Sequence, residues 1–137
     1  MSRLILLIAD QGAAEFRRVL QEAAPDCGIE CAGTREQIRS LRRPSLIIID
    51  LLLCSEPAAA MLSWLRSDPD FRDIPVFVLG SKTLARDITQ SYELGATSCF
   101  ITDSADRDLR PLAQGIAAYA SLLPAPTLSP AYRAMRS

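Results

Sequence analysis

The 137 residues carry 15 Lys plus Arg against 16 Asp plus Glu, a formal net charge of -1 and a pI of about 5.4, and 49% of them are hydrophobic. That length and apolar content suit one well-cored domain rather than two, and the near-neutral balance offers neither the basic footprint of a nucleic-acid binder nor a polybasic membrane patch. With no histidine in the chain, a Cys/His zinc site and every histidine-based acid–base or Ser-His-Asp mechanism are excluded.

The opening MSRLILLIAD meets an acid too soon to be a signal-peptide core or a membrane span. A cytoplasmic protein with reduced thiols is the expectation. Cys27, Cys31, Cys54 and Cys99 form no CxxC pair, and Cys27 and Cys31 read as small buried hydrophobes.

Leu4 to Ala9 is predicted as the first strand, continuously apolar and followed by Asp10. The helix after it places Phe16, Val19, Leu20 and Ala23 at spacings of three and four, with Pro25 close behind. Gly28 to Ala32 reads as a short second strand. Thr34 then fits an N-cap for a helix carrying Ile38 and Leu41 and ending before Pro44.

The stretch SLIIIDLLL, residues 45–53, predicts a third strand buried on both faces, with the carboxylate of Asp50 at its end. In an open α/β sheet, ligands collect in the crevice outside the carboxyl ends of the strands, so an acid there points to a site. Residues 54–58 form a loop, Ala59 to Leu65 a third helix, and Asp68, Pro69, Asp70, Asp73 and Pro75 a polar connector into a fourth strand at Val76 to Leu79. A fourth helix from about Leu84 to Leu94 should stop at a C′ glycine, Gly95.

The fifth strand is Ser98 to Ile101. A last helix runs from Asp106 or Asp108 to Leu123, with Pro111 confined to its first turn. The acids of the connector, and Asp103, Asp106 and Asp108, read as solvated turns and helix-start charges. The pattern is α/β, a doubly wound parallel (βα)5 sheet with helices on both faces, three layers in all. Residues 124–137 hold three prolines without apolar periodicity and read as a flexible tail or linker.

LILLIAD, PSLIIIDLLL, IPVFVLGS and YELGATSCFI, in this order and spacing, resemble the receiver domain of two-component response regulators, a flavodoxin-like fold of the CheY type. The resemblance covers roughly residues 3–123, so 1–123 is expected as a receiver-like domain. It implies that Asp50 stands where the family accepts a phosphoryl group from a histidine kinase or phosphotransfer protein. It further implies that Asp10 and the backbone carbonyl of Leu52 would join Asp50 in holding Mg²⁺, weakly if at all. Protein partners are then the readout, among them a downstream target or a second copy of the chain docked through the fourth helix, fifth strand and fifth helix, a region offering Ile88, Tyr92, Ile116 and Tyr119.

Several positions depart from the family pattern. Ala9 replaces a second acid, Gly80 a hydroxyl residue, Thr102 a lysine, Asp103 a proline and Cys99 an aromatic residue. Cys54, Ser55 and Pro57 alter the loop after the third strand. Ser81, Lys82 and Thr83 could supply the missing hydroxyl and cation, Lys82 being the one lysine of the chain.

Two readings follow, both of a signalling module rather than an enzyme. One is a competent stand-alone receiver phosphorylated on Asp50; the other is a receiver-like interaction module with an incomplete site. A small flavin-binding electron carrier is a third, weakened because DQGAAE offers one glycine where a phosphate-binding loop needs several free N–H groups.

Overall fold

The computed structural model describes residues 3–9, 13–51, 57–80, 85–101 and 109–123, and of Ala85–Asp87 the backbone alone. The elements run β1 (Leu4–Ile8), α1 (Ala14–Ala23), β2 (Gly28–Ala32), α2 (Arg35–Ser40), β3 (Leu46–Asp50), α3 (Ala58–Ser67), β4 (Val76–Gly80), α4 (Ala85–Glu93), β5 (Ser98–Ile101) and α5 (Arg110–Ser121). All five strands are parallel, in the order β2-β1-β3-β4-β5. The five residues of β1, β3 and β4 are all buried, as unbroken aliphatic runs require when helices cover both faces of a sheet.

Alternation along each strand divides the core. Ile5, Leu7, Leu46, Ile48, Phe77 and Leu79 face α1 and α5, meeting Phe16, Leu20 and Ile116. Leu6, Ile8, Ile47, Ile49, Val76 and Val78 face Ile38, Met61, Leu62 and Leu65 from α2 and α3. Each such fully buried side chain contributes about 1.5–3 kcal/mol of transfer free energy.

The ends of the helices follow their sequence signals. Thr34 caps α2 in a capping box, its hydroxyl accepting from the Gln37 N–H at 3.1 Å while Gln37 Oε1 accepts from the Thr34 N–H at 3.3 Å. Leu41 is the C-cap and not a helical residue. At the end of α4 the Ala96 N–H reaches the Ser91 carbonyl and the Gly95 N–H reaches that of Tyr92. This 6→1 and 5→2 pairing is closed by Gly95 at φ +103. Pro111 is the second residue of α5, where its missing N–H has no helical partner to lose.

Two arginines tie distant parts of the chain. Arg3 Nε donates to the Leu123 carbonyl at 2.8 Å, joining the start of β1 to the end of α5. Arg66, near the end of α3, donates to the Gly95 carbonyl through Nε (3.0 Å) and Nη2 (2.7 Å), and through Nη1 to the carbonyls of Arg72 (2.9 Å) and Ile74 (2.8 Å).

One expectation for the connector fails. Asp68 is not a solvated turn residue but is buried, bonded to Arg39 of α2 and accepting from the Asp70 N–H at 2.9 Å. Arg39 and Arg35 in turn lie over the Trp64 ring, at 5.4 and 5.5 Å from its centroid.

Candidate functional site

The strand order reverses between β1 and β3, and the crevice of a doubly wound sheet opens at that point. Asp50 is the last residue of β3, 0% exposed, paired in register with Leu79 of β4. The ladder runs one bond further, from the Leu51 N–H to the Leu79 carbonyl at 2.9 Å. A carboxylate placed so deeply is costly unless its position serves it, and here it stands at the carboxyl edge of the central strand.

Ile8 of β1 is level with Ile49, so Ala9 lies one step on, beside Asp50. Ala9 is buried in the core formed with α1 and α5, and its N–H donates to the Ala32 carbonyl at 3.2 Å. Where the family resemblance calls for an oxygen donor, this chain supplies a methyl group. The donors therefore fit a hard divalent cation only in part.

Among the described residues no three of His, Cys, Asp and Glu come together as a metal cluster. Asp10, Leu52, Ser81, Lys82, Thr83, Thr102 and Asp103 lie outside the described residues, as do Cys54, Ser55, Asp106, Asp108 and the tail.

Gly80 closes β4 on the sheet face opposite Ala9, in alternation with Val76 and Val78. A Cβ placed on it would lie 3.1 Å from Ile88 Cδ1, 3.3 Å from Ile88 Cγ1 and 3.1 Å from Leu51 Cδ1. Hydrocarbon thus occupies the space that a hydroxyl side chain at position 80 would need. The missing hydroxyl was legible in the sequence; the partners filling its place, from the residue after Asp50 and from the middle of α4, were not.

Cys99 of β5 is half-buried. Its N–H donates to the Tyr92 hydroxyl at 3.0 Å and its thiol lies 3.8 Å from the Ile88 carbonyl. Burial raises its thiol pKa, with a side-chain hydrogen bond between the thiol and Tyr92 pulling the other way. Cys27 and Cys31 are also half-buried free thiols, packed against the α1 and α5 side of the core rather than fully enclosed.

The expected docking anchors separate on inspection. Ile88 and Ile116 are buried core residues, and Tyr119 is half-buried with its ring 4.8 Å from that of Phe77. Tyr92 and Ile101 are the large apolar groups exposed on α4 and β5, at 51% and 53%. The sequence offered Ile88 and Ile116 as apolar residues of that region without telling which side they face.

No protein-family model matches the chain. The response regulator Rcp1 of Synechocystis sp. is 36% identical over 78 residues, 56% of this chain and 52% of that protein, so the match spans about half the length of the curated relative. The crystal structure of the phosphorylated cyanobacterial phytochrome response regulator RcpA superposes with a TM-score of 0.73 at 26% identity, covering 91% of this chain and 100% of that one. The Mn²⁺-bound form of Rcp1 gives 0.70 at 26% identity over 93% and 99%. The receiver domain of a signal transduction histidine kinase from Syntrophus aciditrophicus is 30% identical, with a TM-score of 0.64 over 93% of this chain and 99% of that one. Strand order, the acid ending β3 and these full-length likenesses converge, and the chain belongs to the CheY-like response regulator receiver domains of two-component signalling.

Proposed function

We propose that the chain is a signalling module of a phosphorelay that acts by binding other proteins, with Asp50 at the phosphoacceptor position of an incomplete phosphorylation site. The observation that carries this reading is the pairing of a retained, fully buried Asp50 with a methyl at Ala9 and closed hydrocarbon over Gly80. In phosphoryl transfer an Asp50 oxygen would attack the phosphorus of a phosphohistidine, the imidazole nitrogen leaving as the acyl phosphate forms. That product brings about two negative charges into the crevice, and its stabilisation is a matter of positioning and charge neutralisation.

Asp50, Asp10 and the Leu52 carbonyl would hold Mg²⁺, which supplies that neutralisation when bound. Without a second acid at position 9 the site attracts the ion more weakly. Ser81, Lys82 and Thr83 are the groups of the following loop that could stand in for the absent hydroxyl and cation.

Partners are a histidine kinase, a phosphotransfer protein or a downstream target, and the likeness to RcpA makes a phytochrome-type kinase the first donor to try. Tyr92 and Ile101 offer apolar contact area to such a partner or to a second copy of the chain. The module is non-enzymatic and cytoplasmic on this reading; among the described residues no helix is long and apolar enough to cross a membrane. A competent receiver phosphorylated on Asp50 is the second reading, favoured by the presence of Asp50 itself.

The two readings separate by intact mass after incubation with acetyl phosphate and Mg²⁺. Little or no added phosphoryl group is expected. Rapid, near-complete addition that Asp50→Asn abolishes would overturn the incomplete-site reading and establish the competent one.

A further inference from the structure

The middle of α4 is held to the sheet by side-chain contacts that all converge on a few residues. Ile88 presses its Cδ1 and Cγ1 into the space over Gly80, against Leu51 from the end of β3. One turn on, the Tyr92 hydroxyl accepts from the Cys99 N–H at 3.0 Å, and the Cys99 thiol reaches back to the Ile88 carbonyl at 3.8 Å. Beyond the helix end, the Arg66 fork grips the Gly95 carbonyl from α3. The glycine at position 80 makes the first of these contacts possible, because any side chain there would meet carbon at 3.1 Å, closer than packed carbons normally come.

We propose that Gly80 and Ile88 form a latch: the absent side chain lets Ile88 seat against the end of β4, fixing α4 and the Tyr92–Ile101 surface in one arrangement that does not depend on the charge state of Asp50. A side chain at position 80 and a full-length Ile88 compete for one volume, so the inference turns on packing and not on phosphoryl chemistry. It rests on the proposed function only for what the surface is for. The latch can be tested without a phosphodonor or a partner, so its failure leaves the incomplete-site reading standing, and the reverse.

Gly80 has a negative φ, so alanine at this position meets no backbone strain, and the collision opposes the small stabilisation that alanine otherwise brings by restricting the unfolded chain. Hydrogen exchange of peptides spanning residues 85–101 is the measurement, on the full chain as wild type, Gly80→Ala, Ile88→Val and the double variant. In the wild-type background Ile88→Val removes the seated Cδ1, and exchange of the α4 amides should quicken several-fold. Gly80→Ala should quicken it several-fold as well, because Ile88 must give by a few tenths of an ångström to admit the methyl group. In the Gly80→Ala background the same Ile88→Val change should slow exchange, because it removes the nearer of the two Ile88 atoms in collision and leaves only Cγ1 at 3.3 Å and Leu51 Cδ1 at 3.1 Å to shift.

That reversal of sign is what ordinary core destabilisation would not produce. If Gly80→Ala does not fold alone, recovery of a folded protein by the added Ile88→Val is the same result in a stronger form. Asp50→Asn should leave α4 exchange within about two-fold of wild type. Ile88→Val quickening exchange in both backgrounds, a silent Gly80→Ala, or an Asp50→Asn effect as large as that of Gly80→Ala would each overturn the latch.

Discussion

Removing the Arg66 guanidinium is expected to lower folding stability by about 2–3 kcal/mol, more than a half-exposed arginine ordinarily contributes. Its three nitrogens make four hydrogen bonds to three backbone carbonyls, two at Gly95 and one each at Arg72 and Ile74. A bond from a charged donor is worth about 1.5–3 kcal/mol where water cannot replace it. Only the Ile74 carbonyl is of that kind, its residue being 3% exposed. Gly95 and Arg72 are exposed, and water can take over at their carbonyls, leaving roughly 0.5 kcal/mol at each.

Burial lowers the Arg66 pKa, with Asp73 opposing. The guanidinium has thus given up part of its hydration, which keeps the net value toward the lower end of the sum. Arg66→Met retains the stem packing and removes only the fork. Urea unfolding monitored through Trp64 gives the difference, with an unchanged slope as the check that the transition has kept its character. Arg66→Lys should recover less than half, since one ammonium cannot bridge carbonyls that diverge around a planar fork. A loss below about 0.5 kcal/mol for Arg66→Met, or a lysine variant equal to wild type, would refute the reasoning.

Asp68→Ala should cost about 2 kcal/mol by exposing the Asp70 N–H and Arg39 to the loss of a buried acceptor, whereas Arg39→Ala should cost less, about 1 kcal/mol, because Arg39 is 53% exposed. Paired thermal melts check the order, and a larger loss for Arg39→Ala would contradict it, showing that the stranded Asp68 carboxylate and the lost stacking on Trp64 outweigh the lost acceptor. Cys27, Cys31 and Cys99 all have pKa values raised above 9.0, chiefly by burial. The folded state therefore keeps protons that the unfolded chain gives up, and stability is fully present below pH 9 and falls as pH rises through and beyond it. Chemical unfolding between pH 7 and 10.5, wild type against the triple Cys→Ser variant, should show a steeper alkaline decline in the wild type; parallel profiles would contradict it.

The parts of the fold that were legible in the sequence are those where one local signal decides. Unbroken aliphatic runs gave β1, β3 and β4, the Thr34 to Gln37 spacing gave the α2 cap, and Gly95 gave the end of α4. Asp68 was misread because its partner Arg39 is 29 residues away, and nothing near Asp68 distinguishes a buried acid from a solvated one. Ile88 and Ile116 were expected as docking anchors, but an apolar residue on a helix does not by itself say whether sheet or water lies against it. At the site, Asp50 could be placed from the apolar run it ends, and Ala9 and Gly80 from the family resemblance. The seating of Ile88 and Leu51 could not, since it depends on how far α4 approaches β4.

The bond from Arg3 to the Leu123 carbonyl brings the first strand and the last helix together at the edge of the sheet away from Asp50. A short linker could therefore join the described ends of the chain, and new termini could be opened in an exposed turn such as the one around Gly33. A circular permutant cut there would retain β1 between β2 and β3 and keep every register pair of the sheet. It would also turn the contact of largest sequence separation into a local one, lowering the entropy lost on closing the α1–α5 layer and shifting that layer toward the early steps of folding.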